Sequence, residues 1–196
     1  MSQNAVRLIP LMCVKCQAPI AAKAEEVAWV CQQCGQGLIL DSAPAGKSAA
    51  CAQDVFFSAA IPPGKSGRPF WVSSGRVTIT RRETYKGNES RSAQEFWSAA
   101  RLFYIPGWDA ALEDIVSNGV QLLKTPRNSN SERNSNSDFA MQSGSPAPFL
   151  PVVTLPVDMK ALAEFMVVSI EAGRNDALKH IEFDLELASP QLWVLP

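Results

Sequence analysis

Histidine is almost absent from this 196-residue chain: His180 is the only one. Any His-dependent triad or His-rich metal site would have to be built on that single residue, which stands just before an alternating stretch with no nucleophile motif beside it. Charge of one sign is missing too. Eighteen Lys and Arg stand against 19 Asp and Glu, a net of −1. That balance excludes a generally basic nucleic-acid-coating protein and a polyacidic tail protein. No apolar run approaches the roughly 18 residues that span a bilayer, so no membrane span is expected. The amino-terminal stretch has no basic start, and Lys15 interrupts its apolar run, so it does not read as a secretory leader. The default compartment is the cytoplasm, where cysteines serve more often as metal ligands than as disulfides. With 46% apolar residues the chain is not wholly disordered.

Cysteine is concentrated where it matters. Four of the five lie in residues 1–41, as Cys13-Val-Lys-Cys16 and Cys31-Gln-Gln-Cys34 with fourteen residues between the pairs. In a C-x2-C turn both sulfurs reach one ion, and two such turns joined by a hairpin complete a tetrahedron. Val27–Val30 enters the second turn and Leu38–Leu40 leaves it, as strands of a hairpin would. Four thiolates against one divalent ion leave excess negative charge, to be softened by backbone amides and by Lys15 or Lys23. The spacing points to a structural Zn2+ with no open coordination position. Iron also suits four thiolates, a disulfide and a redox C-x-x-C are weaker alternatives, and Cys51 reads as a spare thiol. About 40 residues bury too little apolar area to fold unaided, so the metal should supply folding free energy.

On Cys13, Cys16, Cys31 and Cys34, with Gly35 after the second pair, residues 8–41 resemble the zinc-ribbon family. The resemblance implies a small β fold, those four ligands and a structural zinc. Many ribbons carry Pro inside the turn and Gly after it. Here the first turn has Val14 and Gln17 instead.

The expected architecture is α+β. A zinc ribbon fills 1–41, a small-residue linker 42–53, and a mixed-sheet domain 54–196 broken by a polar insertion at 125–147. That insertion contains the tandem repeat Arg127–Glu132 and Arg133–Asp138, which has almost nothing to bury and reads as disordered. Periodicity predicts strands at Val55–Ile61, Leu102–Ile105, Val120–Leu123 and Val152–Leu155. It predicts a hairpin of Pro69–Val72 and Arg76–Arg82 turning at Ser73-Ser74-Gly75, and a helix over Ala110–Ser117 ended by Asn118-Gly119. A second helix runs from an Asp158 N-cap to Gly173. In the strand Ile181–Leu187 the apolar residues face the core, while Glu182, Asp184 and Glu186 form a solvated face. Phe96, Trp97, Phe103, Tyr104 and Trp108 read as core.

Two Gly-Lys-Ser triplets, at 46–48 and 64–66, lack the earlier glycine of a phosphate-binding loop. Residues 65–91 carry seven basic groups against Glu83 and Glu89. Arg76, Arg81, Arg82 and Lys86 with Trp71 and Tyr85 would form a nucleic-acid surface if displayed together. The simpler arrangement pairs these arginines with the acidic strand face. The favoured function is non-enzymatic: a protein-interaction module, a subunit or an assembly factor of a larger complex. The alternatives are nucleic-acid binding through the ribbon and the basic hairpin, and a rubredoxin-like iron electron carrier.

Overall fold

The computed structural model describes residues 9–41, 48–124, 141–143 and 147–196. The architecture is α+β, as expected. A small antiparallel sheet is made of β1 (Ala28–Val30), β2 (Gly37–Leu40) and β3 (Ala50–Ala52). The larger sheet holds β4 (Val55–Ser58), β5 (Arg68–Thr84), β6 (Arg101–Pro106), β7 (Met141–Ser143), β8 (Leu178–Leu187) and β9 (Gln191–Leu195). Its order is β6-β5-β9-β4-β7, with β8 also paired to β5. Only the β4–β9 pair is parallel, which makes the sheet mixed. The helices are α1 (Ser90–Trp97), α2 (Leu112–Lys124) and α3 (Met159–Ala172).

The organising strand is β5, 17 residues long. Its first half is held by β6 on one side and β9 on the other, and its second half by β8. The hairpin expected at Ser73-Ser74-Gly75 is therefore wrong: these residues run straight through the ladder. Gly75 is there for space. A Cβ at this position would sit 2.6 Å from the Leu187 side chain and 2.7 Å from the Phe103 ring. Gly119 misleads in the same way. The expected helix end at Asn118-Gly119 and the strand Val120–Leu123 are replaced by one continuous α2. A Cβ on Gly119 would come within 2.9 Å of the Tyr104 carbonyl, so this glycine lets α2 lie close against β6 and α3.

Other boundaries moved as well. Val55–Ile61 shortens to β4, and Val152–Leu155 reduces to a single bridge between Val152 and Ala28. Within the expected linker, Ala50–Ala52 pairs with β2 and becomes the third strand of the small sheet. Most of the expected insertion 125–147, including the tandem repeat, lies outside the described residues, but Met141–Ser143 adds a strand beside β4. The helix 159–172 ends at Gly173 as predicted; Asp158 stands at its N-cap without a side-chain cap hydrogen bond. In β8 the outward Glu182, Asp184 and Glu186 are exposed and Leu185 is buried. Trp97, Phe103 and Tyr104 are core residues, and Trp71 lies fully buried among them, its indole Nε1 donating to the Thr154 carbonyl at 2.7 Å.

One polar cluster ties the layers together. Arg82, 3% exposed at its side chain, sits between Glu171 of α3 and Asp176 of the following turn. Its Nε donates to Glu171 at 2.9 Å and its Nη2 to Asp176 at 2.8 Å. Trp97 Nε1 and Arg174 Nε also donate to Glu171, each at 2.9 Å, and the Glu89 amide donates to Asp176 at 2.7 Å. The Arg82 guanidinium beside Asp176 holds that carboxyl far below the usual carboxylate range. Asp176 therefore stabilises the fold fully above its unfolded pKa near about 4, and this contribution is lost as pH falls below it. Arg82→Met should cost about 3–5 kcal/mol, because the buried Asp176 carboxylate loses its guanidinium partner and Glu171 is left with Arg174 and Trp97, and should make unfolding in denaturant depend differently on pH below about 6 than in the parent chain. A cost under about 1 kcal/mol would mean that the cluster is not charged in the folded protein.

Candidate metal centre

The two C-x2-C turns fold alike. In the first, the Gln17 amide donates to the Cys13 carbonyl at 3.0 Å and the Cys13 amide to the Ala18 carbonyl at 2.8 Å. In the second, the Gly35 amide donates to the Cys31 carbonyl and the Cys31 amide to the Gln36 carbonyl, both at 2.8 Å. Each turn closes with a left-handed residue after its second cysteine, Gln17 at φ 61° and Gly35 at φ 71°. Gly35 suits that conformation; Gln17 holds it against the steric preference of an L side chain. The departure at position 17 seen in the sequence thus changes the residue and not the turn.

These turns bring the four sulfurs together. The Sγ atoms of Cys13, Cys16, Cys31 and Cys34 all lie within 4.8 Å of one another. Cys13 to Cys34 and Cys16 to Cys31 are each 3.6 Å. A tetrahedral ion with metal–sulfur bonds of about 2.3 Å would space its ligands by about 3.8 Å. The sulfurs are far beyond disulfide bonding distance, and all five cysteines are free thiols. The set therefore fits a metal ion.

The electrostatics favour one. Burial raises the Cys13 thiol, but the Cys16 and Lys15 amides and the neighbouring thiols outweigh it and bring it down to about 7. At Cys16 the Ala18 backbone lowers the thiol, but burial and the other three thiols push it up to about 12. One thiolate forms readily; the next is opposed by the first. A cation at the centre removes that opposition. Lys15 contributes its backbone amide, 3.4 Å from the Cys13 sulfur.

The small sheet holds this centre on one face. Trp29 and Leu38, directly paired, pack with Cys13, Cys31 and Ala50. Its other face, through Ala28, Val30 and Ile39, joins the main core. Ser48 closes the lobe: its hydroxyl donates to the Met12 carbonyl at 2.7 Å and accepts from the Met12 and Ala50 amides. In the sequence Ser48 falls in the expected linker 42–53 and in the Gly-Lys-Ser triplet at 46–48, neither of which marks this role.

The remaining candidates lie apart from this centre. Cys51 is exposed on β3, its thiol pushed up by lost hydration first and by Asp41 second, so it is no activated nucleophile. His180 is exposed and meets Glu182 at 2.9 Å. The six residues of the nucleic-acid alternative are not displayed together. Trp71 is sealed in the core and Arg82 in its carboxylate cluster. Arg76, Arg81, Tyr85 and Lys86 are exposed; Arg81 bridges Glu83 and Glu182, and Arg76 faces Glu186 across the strands. The cross-strand pairing expected for this stripe is present at Arg81 and in the register of Arg76; Arg82 turns to the opposite face. The chain matches no protein family, no curated protein and no solved structure.

The left-handed pair supplies a test. A Cβ on Gly35 meets nothing within 4 Å, so Gly35→Ala should cost about 1 kcal/mol through backbone strain alone. Gln17→Gly should cost nothing or stabilise by up to about 1 kcal/mol. Denaturant midpoints of the metal-loaded variants report both. Equal losses at the two positions would show that the two turns are not equivalent.

Proposed function

We propose that this protein is a non-enzymatic zinc-ribbon protein of the reducing cytoplasm that acts by binding another protein, as a subunit or assembly factor of a larger complex. A Zn2+ held by Cys13, Cys16, Cys31 and Cys34 is structural in this reading, because four thiolates fill a tetrahedron and leave no position for substrate. The reading rests on one observation above all. Helix α3 is apolar on two opposite sides. Met159, Ala163, Met166, Val167 and Ile170 are buried in the body. On the far side Ala161, Phe165, Val168 and Ala172 are exposed at spacings of one helical turn, and Val157 of the preceding turn extends the stripe. Val157 is 77% exposed, Phe165 40% and Val168 38%. A surface helix needs only one apolar side; a helix apolar on both is built to be covered.

Affinity purification of the tagged chain from its native cells tests the reading. The wild type should retain a partner protein at comparable stoichiometry, and Phe165→Asp, a change at an exposed position, should reduce that yield at least about tenfold. No stoichiometric partner, or the same yield with the variant, would contradict it. Elemental analysis of the purified protein should give one zinc per chain. A red protein with iron in its place would favour the electron carrier instead.

A further inference from the structure

The ribbon and the body meet along residues 147–153. The Val27 amide donates to the Val152 carbonyl at 2.7 Å, the Val153 amide to Gly107 at 2.7 Å and the Leu150 amide to Gly67 at 3.1 Å. A groove opens on each side of this seam. One, of about 680 Å³, runs between Ile20, Trp29 and Phe149. The other, of about 500 Å³, has Trp108, Leu150, Pro151 and Val153 as an apolar wall. Glu25, Glu26, Asp109 and Lys23 stand on the rim of the second groove.

We infer that this second groove receives a Lys or Arg side chain of the partner protein, carried on an apolar segment that continues along the seam. The inference rests on the proposed protein-binding role and names the chemistry of the partner. Three carboxylates against one ammonium give the rim a net negative charge. The apolar wall matches the aliphatic stem of a long basic side chain, and Trp108 supplies an aromatic ring for its charged head. Both features are set in advance. Trp108 is held edge to face against Phe70 at 4.9 Å. The Glu26 carboxylate is fixed by the Lys23 amide at 2.9 Å and the Trp29 indole at 3.2 Å. An acidic segment would meet three carboxylates, and an uncharged one would gain only the wall. Leu150 and Pro151 line both grooves, so a segment anchored in one has an apolar path into the other.

The test uses the full metal-loaded chain and two synthetic peptides, acetyl-Leu-Arg-Leu-amide and its citrulline counterpart, which differ in charge but hardly in shape. Titration is followed at the Trp108 indole resonance. The arginine peptide should shift that resonance and bind at least about tenfold more tightly than the citrulline peptide, and should weaken several-fold when salt is raised to about 0.5 M. The double variant Glu25→Gln, Asp109→Asn changes only exposed side chains and should lose most of the difference between the peptides. Equal binding of the two peptides, no shift at Trp108, or an unaffected double variant would overturn the inference. If the double variant still retains the native partner as wild type does, the groove assignment falls and the protein-binding role stands. If the wild type retains no partner, the role falls, whatever the peptides do.

Discussion

Four thiols within 4.8 Å of one another are the constraint on which the amino-terminal lobe depends. Such a group is electrostatically frustrated. The Cys13 thiolate forms near neutrality, while burial and the neighbouring thiols hold the Cys16 thiol up, an opposition that a cation at the centre would remove. The rest of the lobe is arranged round this requirement. Two matched turns aim the sulfurs inward, β1 and β2 fix the second turn, and the Ser48 hydroxyl ties Met12, beside the first turn, to β3. Short strands of three and four residues would be marginal alone. With the four-thiol cluster on one face and the main core on the other they form a two-sided layer.

That layer also joins the amino-terminal lobe to the body. Ala28, Val30 and Ile39 belong to the same apolar cluster as Trp71, Phe103 and Leu192 of the body. Losing the amino-terminal lobe would expose part of that core. The body has its own second anchor, the Arg82–Glu171–Asp176 cluster, which joins the far end of β5 to α3 and to the start of α1. The hydrophobic core carries the layers, and each polar centre ties together segments that are separate in the chain.

Much of this was legible in the sequence, and what was not has physical causes. Cysteine spacing marked the metal centre, because a C-x2-C turn has few other uses at such a separation. Alternation marked β8, and helical spacing marked α3, since each buries one regular face. Gly75 and Gly119 were misread as turn signals. Both are needed because another segment approaches too closely for a Cβ, and that cause lies in residues distant along the chain, such as Phe103, Leu187 and Tyr104. The strand β9, central in the sheet, offered only Gln191–Leu195 between prolines, too short for any period to show. The Arg82 cluster was hidden for the same reason. Glu171 and Asp176 lie far from Arg82 in sequence, and one chain read alone has no pattern that joins them.

Amide hydrogen exchange, with the metal bound and after chelation, shows whether an ion shapes the amino-terminal lobe. Removing the ion should abolish protection at Cys31, Gly35 and Leu40, whose amides close the amino-terminal lobe, while the β5–β9 ladder keeps most of its protection, and restoring the ion should restore the lobe. Unchanged protection at those three amides after complete chelation would contradict this expectation, for the lobe would then hold its shape without an ion.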